Sequence, residues 1–189
     1  MPATAWRLGG GNIVKFDQDE CLRWCFGELL SNAARGKVAE FVVAKALGIA
    51  EGFRQEWDAC DLRYGEIGIE VKSSAYLQSW YQKKPSAISF DIAPRKQTWE
   101  DSSNTWSTLE PPRRVADIYV FCIFKEQDRT IADPLITDQW EFFILSTSKI
   151  DKVWGMQKTL SHGPLQRVAT AIQFEDIRGA IDDLGNLLP

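Results

Sequence analysis

The chain of 189 residues is poor in the residues that build several common kinds of site. It has one histidine, which argues against a zinc site and against a nucleophile–histidine pair. Its four cysteines lack the spacing of a disulfide framework, which predicts reduced thiols and a cytoplasmic protein. The net charge of −4 argues against a general polyanion binder, so any surface for nucleic acid must be a local patch.

Long apolar runs are missing as well. No run approaches the ~18 residues of a membrane span, and the N-terminus lacks the charged-then-apolar layout of a signal peptide. What remains is the composition of an ordinary soluble globular protein, 44% hydrophobic and 25% charged. The length predicts one domain over residues 1–189, with a loose arm at 1–12 that ends in three glycines.

The pattern of apolar residues predicts helices at both ends of the chain and strands between them. A helical stretch over 19–49 breaks near residue 31, where Ser31 or Asn32 caps a second helix that Gly48 ends. Alternating or continuous apolar runs predict strands, and these fall at 57–64, 66–73, 87–93, 115–124 and 140–147. This order predicts an α/β (mixed α+β) fold, with a central mixed sheet flanked by helices. Residues 94–114 are polar and broken by prolines, which predicts a long loop.

The stretch "DLRYGEIGIEVKSS", residues 61–74, predicts a tight hairpin with charges on one face. A two-residue turn that begins with glycine, at Gly65 and Glu66, fixes how its two strands pair. This register predicts three opposite pairs: Tyr64 with Ile67, Leu62 with Ile69, and Asp61 with Glu70. The apolar side chains then share the core face, and the charged ones share the other.

Asp61, Glu70 and Lys72 are the charged residues of that second face. Two carboxylates opposite each other repel, which predicts raised pKa values in the absence of metal. A hard divalent cation between them turns that repulsion into coordination, and the lysine is placed to polarise a water or to steady a phosphoryl oxygen. The alternative is a solvated strand face. Asp58 is a rival to Asp61, but it has the wrong parity unless a bulge intervenes.

These residues, together with "AEF" at 39–41 on the preceding helix, resemble the PD-(D/E)XK nuclease superfamily. That superfamily has the restriction-endonuclease-like fold, with an acid on the first core helix, an aspartate on one strand and Glu-x-Lys on the next. The resemblance covers roughly residues 30–125, and Cys60 stands where the pattern has proline. It implies four catalytic residues, which are Glu40, Asp61, Glu70 and Lys72.

The resemblance also implies a cofactor, Mg²⁺ or Mn²⁺. Its ligands would be Asp61, Glu70 and the main-chain carbonyl of Val71, with Glu40 as a further candidate, while Lys72 assists the attack of water on a phosphodiester. Gly36, one turn before Glu40, would let a strand or ligand approach this helix closely.

Polar and basic residues near the same strands are candidates for contacts with DNA. Ser73 and Gln78 follow the lysine, and two basic pairs border the predicted loop, which are Arg95-Lys96 and Arg113-Arg114. Basic and aromatic residues on a loop suit phosphate contacts and base stacking. The alternative is that they are simply solvated.

Two functions are consistent with the sequence. The first is a metal-dependent endonuclease that acts on DNA, of restriction or repair type. The second is a catalytically silent nucleic-acid-binding or assembly module with the same fold. The presence of all four catalytic-type residues favours the first. The acidic charge and the absence of a separate recognition domain favour the second, or an enzyme that works as a homodimer or with a partner protein.

Overall fold

The computed structural model describes residues 5–7, 13–15, 17–54, 58–100 and 105–188. The strands are β1 (Ala5–Arg7), β2 (Ile13–Lys15), β3 (Leu62–Tyr64), β4 (Ile67–Ala75), β5 (Ser89–Asp91), β6 (Arg95–Glu100), β7 (Thr105–Arg113), β8 (Ile118–Phe124), β9 (Trp140–Ser146) and β10 (Thr159–Ser161). The helices are α1 (Gln18–Phe26), α2 (Asn32–Leu47), α3 (Thr147–Trp154), α4 (His162–Gln166) and α5 (Ile177–Gly185). Short 3-10 turns lie at Thr137–Gln139 and Phe174–Asp176.

A four-stranded sheet with the order β3-β4-β8-β9 forms the centre of the molecule. Strands β4 and β8 run parallel, and the other two pairings are antiparallel, so the predicted mixed sheet is confirmed. Every residue of β8 is buried, which explains its unbroken apolar run, because a central strand with both faces covered has no solvent side.

Each face of this sheet packs against its own layer. Helices α2 and α5 cover one face, where Ile69 and Val71 of β4 enter the core. The other face carries Tyr119 and Phe121 and packs against β5, β10 and the segment from α3 to α4. The charged residues of β4 point to this second face, because side chains alternate along a strand. The flanking helices agree with the predicted mixed α+β class.

Helix α2 ends where the sequence predicts. Ser31 is its N-cap, with Oγ accepting a hydrogen bond from Ala34 N at 3.3 Å, and Gly48 ends it with a φ of +74°. Helix α1 begins at Gln18, one residue before the predicted helical stretch, and Asp17 is its N-cap, with a side-chain oxygen that accepts from Asp19 N. The break near residue 31 is therefore a cap, and it directs α2 across the sheet.

The hairpin keeps the predicted register over a shorter length. Leu62 pairs with Ile69 and Tyr64 with Ile67, and Gly65 has a φ of +60°, as a turn with glycine first requires. Strand β3 starts only at Leu62, so Asp61 precedes the ladder instead of pairing within it. The start of the predicted strand includes residue 57, which lies outside the described residues.

The long loop predicted over 94–114 is wrong, because β6 and β7 pair there as an antiparallel hairpin around residues 101–104, which lie outside the described residues. Trp99 and Trp106 face each other across it, with ring centroids 5.6 Å apart. Cross-strand aromatic pairs and threonines favour strands, and a two-stranded sheet has only edges, where prolines are tolerated.

The loose arm predicted at 1–12 is partly a strand. Ala5–Arg7 pairs antiparallel with Ile13–Lys15, whereas residues 1–4 and 8–12 lie outside the described residues. Within the described part of the chain, no helix combines the length and the apolar character that crossing a bilayer requires.

Candidate active site

Glu70 is the most buried carboxylate of the predicted site, with 3% of its surface exposed. Arg95 Nη2 donates to both of its oxygens, at 2.7 and 2.8 Å, and Lys72 Nζ donates to Oε1 at 2.7 Å. Two cations thus compensate one buried negative charge, which is the condition under which such a charge is tolerated. The predicted Glu-x-Lys pair is in direct contact.

Asp61 lies at the edge of β4, immediately before the first residue of β3. Its Oδ2 accepts a hydrogen bond from Val71 N at 2.8 Å, so the side chain takes a backbone donor that a longer β3 would have paired. Burial and then the charge of Glu70 raise the pKa of Asp61 to about 6, against the Val71 N–H, which lowers it. The predicted rise in pKa is confirmed for this residue.

Val71 offers a main-chain oxygen near the same point. In a strand the N–H and C=O of one residue point to the same edge. Since the Val71 N–H points to Asp61, its carbonyl also points to the edge that β3 leaves open. Three oxygen-bearing groups of the sequence prediction, on Asp61, Glu70 and Val71, therefore belong to one short stretch of strand edge.

Glu40 comes from α2 and lines a cleft of about 450 Å³ that Asp61 also lines. Its carboxylate is paired with Arg54, whose Nη2 lies 3.0 Å from Oε1 and whose Nε donates to Oε2. The charge of Glu40 also helps to raise the pKa of Asp61, after burial and Glu70. Lys37 lines the cleft too, so its wall carries both signs of charge.

The rival aspartate is oriented elsewhere. Asp58 lines the same cleft, but its two oxygens each accept from Arg63, at 3.2 Å. Its Oδ1 also accepts the N–H of Ala59 at 2.5 Å. Asp58 thus helps to hold the bend before β3, while Asp61 contacts β4.

The donor chemistry of this region suits a hard cation that keeps part of its water. In the residues that the structure describes, no three histidine, cysteine, aspartate or glutamate side chains form a ready-made metal centre. Mg²⁺, however, is usually held by one or two carboxylates together with water and substrate phosphates. Asp61 and Glu70 with the Val71 carbonyl match that demand, although Arg95 and Lys72 occupy the Glu70 oxygens in this arrangement.

Two of the residues predicted to contact nucleic acid, Arg95 and Arg114, are bonded within the protein. Arg114 is buried, with 6% exposed, and its guanidinium donates to Asp151 and to the carbonyls of Ile92, Gly155 and Gln157. It therefore joins the β6–β7 hairpin to the segment around α3. Arg95 belongs to the carboxylate site through Glu70 and through Ala59 O, at 2.9 Å.

The other predicted contacts lie on β6 and β7 or around a second pocket. Lys96 and Arg113 are exposed on β6 and β7. Ser73 and Gln78 line a second pocket, of about 360 Å³, at the far end of β4. No strand among the described residues approaches Gly36 closely, because a Cβ built there meets nothing within 4 Å, and the approach of a ligand stays a prediction. Gly36 instead borders this open pocket.

Sequence reasoning missed three residues that shape the charged site. Arg95 was assigned to DNA, and Arg54 and Tyr119 were not singled out. Tyr119 pairs with Glu70 in the β4–β8 register, and burial and then the Glu70 charge raise its pKa. The signal in the sequence was a tyrosine inside an apolar run. Its register position beside the buried Glu70 comes only from the structure.

A comparison with family models identifies the relationship of this chain. The model of Bacteriophage T4 endonuclease IV matches residues 26–160, from the end of α1 to β10. The match contains Glu40, Asp61, Glu70 and Lys72. Neither a curated protein nor a solved structure gives a significant match. The matched region covers most of the chain and its charged site, and the chain belongs to the Bacteriophage T4 endonuclease IV family, a family of nucleases.

Proposed function

We propose that this protein is a metal-dependent endonuclease that hydrolyses phosphodiester bonds in DNA, with a site of the PD-(D/E)XK type. The observation that carries the proposal is the coincidence of two independent facts. The chain belongs to an endonuclease family, and the matched region includes a buried Glu70 in contact with Lys72, beside an Asp61 of raised pKa. Groups with perturbed pKa values beside specific charge partners are frequent at functional sites.

Asp61, Glu70 and the Val71 carbonyl are the groups that would hold Mg²⁺ or Mn²⁺. When bound, such an ion stabilises negative charge on the phosphoryl group and lowers the pKa of a water. Arg95 has to release at least one oxygen of Glu70 for this, so the protein's own guanidinium competes with the ion. Glu40, paired with Arg54, is the further candidate ligand from the helix side of the cleft.

Lys72 is the residue that we assign to the reacting phosphate. Its side chain is 27% exposed, so the ammonium can contact Glu70 and still meet a substrate. It stabilises the charge that builds up on a non-bridging oxygen. In the reaction the oxygen of water bonds to phosphorus and one P–O ester bond breaks. The water gives up a proton, and the departing oxygen takes one.

The second candidate is a module that binds nucleic acid or assembles with a partner without cutting. One observation favours it, which is that the carboxylates are already neutralised by the protein. Glu70 has Arg95 and Lys72, and Glu40 has Arg54, as in an ion-pair network with a purely structural role. The two candidates differ in whether a divalent ion displaces these partners.

The test combines cleavage with metal binding. Supercoiled plasmid and single-stranded DNA are incubated with wild type, Asp61→Asn and the control Asp183→Asn, in Mg²⁺, in Mn²⁺ and in EDTA. We expect cleavage by wild type and the control only with metal, and loss of cleavage in Asp61→Asn, because a ligand is missing. Asp183 is exposed on α5, so its substitution leaves the charged site unchanged.

Calorimetric titration with Mn²⁺ at two pH values separates the candidates. Protons compete with the metal for carboxylate oxygens, so the affinity should fall as the pH falls. Equal affinity at both pH values would contradict carboxylate coordination. No cleavage on any DNA, combined with no Mn²⁺ binding, would favour the silent module.

A further inference from the structure

The pocket at the C-terminal end of β4 has a different character from the charged cleft. Its volume is about 360 Å³, and we call it the polar pocket. Its walls are the first turns of α2, with Arg35 and Gly36, the end of β4, with Ser73, and the following segment, with Gln78 and Trp80. Nothing in the metal site described above uses it.

Three residues that line this pocket each carry a buried polar atom with no hydrogen-bond partner among the residues that the structure describes. These atoms are Arg35 Nε, Ser73 Oγ and Gln78 Oε1. Arg35 is only 3% exposed and Gln78 only 6%, so bulk water does not satisfy them. Buried polar groups in folded proteins are paired in the great majority of cases. Three exceptions on one pocket wall indicate a ligand that supplies the missing partners.

The unpartnered atoms belong to side chains that are otherwise fixed. Arg35 donates from Nη1 to Leu30 O at 2.8 Å and from Nη2 to Asn32 Oδ1 at 2.5 Å. Gln78 donates from Nε2 to Ala75 O at 3.0 Å, which fixes the orientation of its amide. The backbone of Gln78 is held as well, since Arg129 Nη2 donates to its carbonyl at 2.6 Å. These side chains thus have little freedom to satisfy one another by rotation.

The three atoms define the chemistry of the ligand. Arg35 Nε is a donor, Gln78 Oε1 is an acceptor, and the Ser73 hydroxyl can be either. A phosphate in its charged form only accepts, so it leaves Gln78 unsatisfied. The edge of a nucleobase carries donors and acceptors side by side. Trp80 also lines the pocket with 55% of its surface exposed, and an exposed indole is a stacking surface for a base.

We propose that the polar pocket receives one unstacked nucleobase of the strand that is cut, with Trp80 as its stacking surface and Arg35, Ser73 and Gln78 on its edge. This inference rests on the proposed function, because it needs a strand that reaches Lys72. Strand β4 connects the two sites: Glu70 and Ser73 are three residues apart, about 10 Å along a strand, with their side chains on opposite faces of the sheet. A nucleic-acid strand that crosses the edge of β4 that β3 leaves open can place its reacting phosphate at one site and a neighbouring base at the other.

The experiment uses binding, so that it does not depend on turnover. A fluorescently labelled single-stranded 12-mer is titrated with the full chain in EDTA, by fluorescence anisotropy. A series of the same strand carries one abasic position at a time. We expect one position at which loss of the base weakens binding about 10-fold, in line with one stacked base. Equal binding of all abasic strands would overturn the proposal, because the pocket would then hold a phosphate, or nothing, instead of a base.

Three variants assign that effect to the pocket. Trp80→Ala should weaken binding of the intact strand about 10-fold and make the sensitive abasic strand no weaker than the intact one. Its matched control is Trp24→Ala, on exposed α1, which should keep the abasic effect. Gly36→Leu fills the pocket and should act like Trp80→Ala. A Cβ at position 36 meets nothing within 4 Å, so the substitution starts from an open position.

Ser73→Ala distinguishes a binding role from a structural one. Because Ser73 Oγ has no partner among the described residues, its removal should leave the urea midpoint unchanged while it weakens binding of the intact strand. Ser161→Ala, an exposed serine without a side-chain cap bond, is the control. If the abasic effect persists in all three pocket variants, the base does not bind in the polar pocket. Absence of cleavage with this binding pattern intact would refute the nuclease proposal alone.

Discussion

Two positions along strand β4, Glu70 and Ser73, treat buried polar groups in opposite ways. At Glu70 every charge has a partner within the protein, because Arg95 and Lys72 occupy both carboxylate oxygens. At Ser73, three residues later, polar atoms are buried without partners among the described residues. One strand thus carries a charged site that is closed by its own side chains and borders a polar pocket whose buried polar atoms lack partners among the described residues.

The difference shows how each position can respond to a ligand. A buried polar group without a partner costs about 1–3 kcal/mol, so a ligand at Ser73 gains from contacts that the protein lacks. At Glu70 a ligand must first displace an existing ion pair, and it gains only the difference between the two partners. Ligand binding at Glu70 is therefore sensitive to changes in Arg95 and Lys72, whereas binding at the polar pocket does not require an ion pair to break.

The largest effect is expected from Lys72→Ala. If Lys72 stabilises the charge on the phosphate in the transition state, its loss should lower the cleavage rate about 100- to 1000-fold, with little change in DNA binding. Single-turnover cleavage and anisotropy on the same strand measure the two quantities.

The control for the lysine is Lys152→Ala, an exposed lysine on α3. It should cut like wild type. If Lys72→Ala cuts as fast as this control, the lysine has no chemical role and only neutralises Glu70.

A smaller effect concerns Asp61 and pH. Its pKa is about 6 in the folded protein, against 3.8 for the free side chain, so the folded state binds this proton more tightly than the unfolded state. The resulting stability is present below about pH 4 and is lost as the pH rises through about 6. Asp61→Asn does not ionise, so in EDTA it should be more stable than wild type by on the order of 3 kcal/mol at pH 8.

Urea denaturation at pH 4 and pH 8 measures this difference. The two proteins should have similar free energies of unfolding at pH 4, where Asp61 is protonated. Asp183→Asn provides the baseline for an exposed aspartate. A variant that is less stable than wild type at pH 8 would mean that the Val71 hydrogen bond outweighs the burial of the charge.

The smallest of the three effects is expected from Arg95→Met, which keeps the apolar stem and removes the guanidinium. Glu70 then keeps only Lys72, and the free energy of unfolding in EDTA should fall by about 2 kcal/mol, because a buried carboxylate is undercompensated. Mn²⁺ should bind this variant more tightly, since its competitor has gone. Calorimetry and urea denaturation with and without Mn²⁺ measure both.

Arg113→Met is the matched control, because Arg113 is exposed and pairs with Arg95 in the β6–β7 register. It should change neither quantity. Unchanged Mn²⁺ affinity in Arg95→Met would mean that the ion does not use Glu70, and the metal proposal would fail at that residue.

The parts of the fold that follow from local patterning were predictable. The cap at Ser31, the turn at Gly65 and the buried run of β8 depend on neighbouring residues, and each is where the sequence places it. The β6–β7 hairpin was missed, because its strands are held by contacts such as Trp99 with Trp106 and carry turn-forming residues that resemble a loop.

The site was predictable only as far as the hairpin register reaches. The contact of Glu70 with Lys72 follows from their spacing of two residues along β4. The raised pKa of Asp61 follows from its burial and from its place near Glu70 in the hairpin. Arg95 lies 25 residues from Glu70 in the chain, and only the tertiary fold brings the two together. The same holds for Arg35, which reaches the polar pocket from α2.

Strand β4 has one more consequence, which concerns the geometry of the products. It is hydrogen-bonded to β8 over seven consecutive residues, from Ile69 to Ala75, so the interval between Glu70 and Ser73 is as rigid as the sheet. If one base is held in the polar pocket while the phosphate at Lys72 reacts, the number of nucleotides between that base and the cut is constant. Substitutions in the surrounding loops should leave this number of nucleotides unchanged.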